Sequence, residues 1–133
     1  MYPHFHRGDM AKPSQFYTFV NLDRKATVAA RVEVAGTSRV RRRGLLQVSS
    51  MDADAGLWIV PCEAIHTFGM KVPIDSVFLD KQMCVRSVRR ELRPGRIAIC
   101  LRAHSVLELA AGTIERSGTV VGDRLAVSDT IHQ

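Results

Sequence analysis

Residues 61–88 read PCEAIHTFGMKVPIDSVFLDKQMCVRSV, and how this stretch is parsed decides the fold. Pro61 and Pro73 bracket a segment with no steady period. Proline ends strands and stiffens connections, so residues 62–75 are expected to form a rigid loop that presents side chains at fixed angles. Ser76-Val77-Phe78-Leu79 follows as a β-branched and aromatic run, Asp80-Lys81 interrupts it, and Met83 to Val88 resumes an apolar pattern. Two short runs split by a polar break read as a β-hairpin.

Working towards the N-terminus, Leu57-Trp58-Ile59-Val60 is a strand that Pro61 closes, and Asp52-Ala53-Asp54-Ala55-Gly56 is a turn. The turn imitates a calcium loop, but its glycine arrives a place early and the closing glutamate is missing, which excludes that reading. Val28, Ala30, Val32 and Val34 alternate with Arg31 and Glu33 in a half-buried strand, and Phe16 to Val20 forms a shorter one. Thr37 caps an expected helix through Leu46 that fans out Arg39, Arg41, Arg42 and Arg43. Residues 1–14 read as a flexible N-terminal arm and 15–133 as a single globular domain.

Towards the C-terminus, Pro94-Gly95 marks a turn, and Ile97, Ile99 and Leu101 share one face of a strand. Ser105 and Glu108 have capping-box spacing, which predicts a short helix to Ala111 ended by Gly112. Gly122-Asp123 turns into a last strand, Arg124 to Val127. The expected fold is α+β and predominantly β: a small mixed, strongly coiled or partly closed barrel-like sheet of six or seven short strands with two short helices. Strands this short and closely spaced leave no room for repeated βαβ crossovers.

Charge is distributed unevenly. Residues 1–43 carry a net +6, 44–85 a net −3, 86–102 a net +5 and the remainder a net −2, so two basic segments flank an acidic one. Fifteen of the 19 basic residues are arginine, which suits planar pairing with carboxylate or phosphate. No apolar run is long enough to span a bilayer as a helix, and residues 1–9 lack the apolar core of a secretory signal. Three cysteines, an odd number, fit a reducing compartment, so the expected location is cytoplasmic.

These residues carry a resemblance. Arg41-Arg42-Arg43-Gly44-Leu45-Leu46, Gly56 to Pro61, Ile65 to Asp75, Val77-Phe78-Leu79-Asp80, Val106-Leu107-Glu108-Leu109 with Gly112, and Gly122-Asp123 follow one another. In residues and order they resemble the bacterial and archaeal family called domain of unknown function 192, over about residues 27–127. The chain departs from the family pattern at Gly69, where a tryptophan or other bulky residue is usual, and at Leu46, where methionine is usual. Many members begin with a signal peptide or lipid anchor; from residues 1–9 neither is expected here. The resemblance implies a small β-rich fold and brings no established reaction, cofactor or substrate.

The residues themselves offer three chemistries. The first is a non-enzymatic binding or accessory module. In it the loop 62–75 contributes His66, Met70, Lys71 and Asp75, with Arg41 and Arg43 nearby, to engage a small anionic ligand or a protein segment. Weighed against it is a structural plug: Phe68, Met70 and Ile74 fill the core while Asp75 bonds loop amides or an arginine. The second is a cysteine-dependent hydrolase or transferase, with Cys62 as nucleophile, His66 as base and Asp75 orienting it; no glycine-rich oxyanion turn adjoins Cys62. The third is weak association with nucleic acid through the arginines at 39–43 and 86–102, without the exposed aromatics that stacking on bases would need. Cys62, His66, Cys84, Cys100 and His104 lack the tight knuckles of a closed zinc site, so neither a metal nor another cofactor is expected.

Overall fold

A computed structural model of the chain describes residues 15–35 and 52–130. The expected helix from Thr37 to Leu46 and the arm at 1–14 lie outside the described residues. Nine strands and one short helix are described: β1 (Tyr17–Asn21), β2 (Ala26–Ala35), β3 (Ala55–Ile59), β4 (Ala64–His66), β5 (Ile74–Leu79), β6 (Val85–Leu92), β7 (Ile97–Ile99), β8 (Ser105–Ala110), α1 (Thr113–Ser117) and β9 (Leu125–Asp129). The fold is α+β and mainly β, as expected.

Seven strands form one curled sheet in the order β6-β5-β8-β3-β2-β1-β9, and β4 and β7 form a separate two-stranded ribbon. Only β2 and β3 run parallel; the other pairs are antiparallel. The curl brings the two edge strands together at one end. Cys84 bridges Arg124, Val85 N donates to Asp123 O at 2.8 Å, and Leu125 N donates to Met83 O at 2.9 Å. The result is a half-barrel closed by a short seam.

Strand alternation gives the sheet two apolar faces, and both are covered. Trp58, Val77, Leu79, Leu107 and Leu109 point into the curl, where Phe19, Val28, Val32 and Ile114 of α1 complete the first core. Phe19 meets Trp58 edge-on at 5.2 Å between ring centroids. Leu57, Ile59, Ile74, Phe78 and Val106 point the other way, and the ribbon lies over them through Ile65, Ala98 and neighbouring Met70. Consequently β5 and β8 are buried at every position.

This double burial corrects one expectation. Residues 105–110 are not a capped helix but the central strand β8, hydrogen-bonded between β5 and β3. A strand covered on both faces shows no two-residue alternation, and Leu, Glu and Ala are good helix formers, so local pattern and tertiary position disagree. Gly112 does not end a helix but begins one: it sits at φ 95 as the N-cap of α1. The alternation in β2 is also imperfect. Val28 and Val32 are buried as expected, but Ala29 and Ala35 are buried too. A register shift against β1 pairs Phe19 with Ala29 and Tyr17 with Val32, which brings Ala29 into the first core, while Ala35 packs in the second core beside Ile59.

Polar side chains secure the turns. Asp80 closes the β5–β6 hairpin by accepting from Gln82 N and Cys84 N, and pairs with Arg86 Nε at 2.8 Å. Burial raises its pKa, but these bonds and the Arg86 charge outweigh burial and hold the carboxyl below its ordinary range. Asn21 Nδ2 and Arg24 Nε both donate to Asp123 Oδ2, at 2.9 and 3.0 Å, which ties the β1–β2 turn to the segment before β9. There too burial raises the carboxyl, and bonds from Arg24, Asn21 and Val120 N more than compensate. No described helix is long and apolar enough to cross a membrane.

Candidate functional site: the outer face of the ribbon

The expected loop 62–75 is in part strand, β4 at Ala64–His66 and the start of β5 at Ile74, and its side chains divide into a buried foot and an exposed rim. Asp75 belongs to the foot. It is fully buried and accepts three backbone amides: Glu91 N at 2.8 Å on Oδ1, and Gly112 N at 3.1 Å and Ile114 N at 2.9 Å on Oδ2. It therefore joins the end of β6 to the start of α1. This is the loop-amide role weighed against ligand binding, and it corrects the expectation that Asp75 faces a ligand. It also removes Asp75 as a partner for His66. Asp75 shares the side of β5 that carries Val77 and Leu79, facing the curl, whereas the ribbon bearing His66 covers the opposite side.

Met70 is also part of the foot, 7% exposed in the second core. Cys62 is half-buried against that core, and its Sγ lies 3.0 Å from the Ala64 carbonyl. None of the three cysteines forms a disulfide. Arg41 and Arg43 lie outside the described residues. Of the ligand-binding residues expected from sequence, His66 (half-buried) and Lys71 (exposed) remain on the surface of this lobe.

Thr67 fixes the shape of the rim, a role the sequence did not signal. Its hydroxyl donates to Arg93 O at 2.6 Å and accepts from Arg96 N at 2.8 Å, and its backbone carbonyl accepts from Gly95 N at 3.0 Å and Met70 N at 3.2 Å. One buried threonine thus staples the loop to the Pro94-Gly95 turn. Phe68 follows it and is 50% exposed, stacked on His66 at 5.3 Å between ring centroids. Gly95 lies against Phe68.

The ribbon continues this surface. Ile65 and Ala98 face the core, so their cross-strand neighbours face out: His66 opposite Ile97, and Ala64 opposite Ile99. Ile97 is 61% exposed, Ile99 53% and Leu101 78%. Ile97 and Ile99 share a face as read from the sequence, but that face points to water, and the strand ends at Ile99, so Leu101 lies in the turn that follows. Four large apolar side chains half or more exposed in one lobe forgo burial worth about 1–2 kcal/mol each. Exposed cations surround them: Lys71 follows Met70, Arg93 and Arg96 flank the turn beneath Phe68, and Arg102 follows Leu101.

Three comparisons place the fold among known proteins. The family model for domain of unknown function 192, described as an uncharacterized ACR, matches residues 20–127. A crystal structure from Sinorhizobium meliloti, of a candidate transcription regulator, is similar at a TM-score of 0.73 and 24% identity, covering 86% of this chain and 94% of that one. A protein of unknown function from Novosphingobium aromaticivorans is similar at a TM-score of 0.70 and 17% identity, covering 93% and 99% of the two chains. Among curated proteins none matches. At these identities the two structures establish a shared fold and nothing about activity.

Proposed function

The chain belongs to the family of domain of unknown function 192, and from that premise we propose that it is a binding module whose outer ribbon face engages a protein segment. The observation that carries this reading is the exposure of Ile97 and Ile99 on the two-stranded ribbon, with Phe68 stacked on His66 opposite Ile97 and exposed Leu101 two residues beyond the strand. A mobile loop would lose affinity to the entropy of ordering, whereas a surface fixed by Thr67 and seated on Ile65 and Ala98 is already organised for contact. The cations stand around an apolar centre, the arrangement of a protein contact: an apolar core with a polar rim.

Panning a random-peptide display library against the full chain tests the reading. Enriched peptides should lose binding to the Phe68→Ser and Ile99→Ser variants by at least about tenfold, the equivalent of ~1.4 kcal/mol for one lost anchor, and should bind Lys81→Ala as they bind the parent. Both anchors are exposed, so the variants should keep the parent melting temperature. Enrichment indifferent to both serine variants, or none at all, rejects the surface.

A further inference from the structure

We propose that the outer edge of β7 receives an extended segment of a partner protein, alternating acidic and apolar residues, as a third strand of the ribbon. This rests on the reading of the ribbon as a protein-contact surface and specifies how the contact is made. Its basis is the parity of the β4–β7 ladder. Cys100 N donates to Glu63 O at 2.8 Å and Thr67 N to Arg96 O at 2.8 Å, and the pair midway between them is Ile65 with Ala98. Antiparallel ladders bond at every second pair. The amides and carbonyls of Ile97 and Ile99 therefore point away from β4, and among the described residues β7 pairs with no other strand.

The chain protects the β6 edge of its main sheet. β6, at the border of the seven-stranded sheet, carries Arg86, Arg89 and Arg90, and its pairing with β5 has two register shifts, with Glu91 at φ 49. Charges and irregular register are the usual means of keeping an edge from recruiting strands. β7 has neither: its three residues are Ile97, Ala98 and Ile99, in regular register. Its apolar pair stands exposed beside an unpaired backbone, which is what strand addition uses, with the backbone giving affinity and alternate side chains giving choice.

Charge selects the occupant. Arg96 and Arg102 bracket β7, and Arg93 and Lys71 lie on the same lobe, against the exposed acid Glu63. An incoming strand that alternates carboxylates with apolar residues would offer anionic partners to that bracket and cover Ile97 and Ile99. A second copy of β7 would bring arginine towards arginine. An anionic lipid surface would answer the charges and the apolar chains but would leave the edge amides without strand partners.

The experiment uses the full chain and a synthetic heptapeptide alternating glutamate with valine. Binding should slow hydrogen exchange at the Ile97 and Ile99 amides by at least about tenfold. N-methylation of the peptide at the alternate positions that face β7 should abolish binding, and methylation of the other set should leave it. No binding, binding that leaves Ile97 and Ile99 exchange unchanged, or binding that survives both methylation patterns overturns the proposal. So does equal protection produced without peptide, either by raising the protein concentration or by adding phosphatidylglycerol vesicles. If the display library instead yields peptides that need Phe68 and Ile99 but show no acidic alternation and tolerate N-methylation, strand addition falls while the binding-module reading stands.

Discussion

Replacing Asp75 with alanine removes one side chain and strands three donors. The amides of Glu91, Gly112 and Ile114 lie 2.8, 3.1 and 2.9 Å from its carboxylate, in a site with no exposure. A hydrogen bond to a charged group is worth about 1.5–3 kcal/mol, and a buried group left without its partner costs about 1–3 kcal/mol. The three share one acceptor and relax together, so their costs do not sum in full. The expected loss is about 4 kcal/mol, a large fraction of the 5–15 kcal/mol typical of a domain. For a chain of this length that corresponds to a fall of roughly 15 °C in melting temperature. Asp75→Asn should lie between the parent and alanine, since its amide nitrogen turns a donor towards donors. Urea denaturation read by tryptophan fluorescence measures the loss, because Trp58 lies in the core that α1 closes. A loss under about 1 kcal/mol would refute the reasoning: water, or a shift of the α1 start, would then be satisfying those amides.

Three other perturbations have definite expected outcomes. Asp80 and Asp123 are held below the ordinary carboxylate range, so they contribute stability above their unfolded pKa, near 3.9; that contribution should fade as pH falls from about 4 through their lower folded values, a decline that Asp80→Asn should flatten in an acid titration followed by circular dichroism. Gly56→Ala should cost about 1–3 kcal/mol by denaturation, because an added Cβ would sit 3.1 Å from the Glu108 carbonyl oxygen and 3.3 Å from Val32, both on neighbouring strands with little freedom to yield. Thr67→Val keeps the volume but removes the hydroxyl that joins Arg93 and Arg96; we expect a loss of about 1–2 kcal/mol and faster amide exchange at residues 95–97, and unchanged exchange there would show that the staple is dispensable.

Much of the fold was legible because local signals and tertiary demands agree. Asp80-Lys81 breaks an apolar run where the chain turns, and Val28 and Val32 are both buried in the first core, as the alternation in β2 predicts. The signals failed where tertiary context decides. Ser105 to Ala110 carries a helix-start spacing and helix-forming residues, yet β5 and β3 claim it as a strand, and no local pattern reports a neighbour on each side. At the site, Lys71 and His66 were found because polar residues between prolines draw attention. Ile97 and Ile99 were correctly grouped on one face, but alternation does not say whether a face meets core or water; that is set by Ile65 and Ala98 taking the inner side. Asp75 was visible as a residue of consequence, while its orientation followed from the side of β5 on which it falls.

The neighbours of β1 have a consequence for synthesis. Tyr17–Asn21 pairs on one side with β2, which follows at once, and on the other with β9, whose residues 125–129 are made more than a hundred positions later. Thr130 N donates to Phe16 O at 2.9 Å, so the two ends of the described sheet are held side by side. A nascent chain must therefore carry β1 with one edge open, Tyr17 and Phe19 on it, until β9 has been made. A ribosome that stalls before Leu125 releases a polypeptide with that edge still unpaired by β9, and quality-control proteases and holdase chaperones would meet it there first.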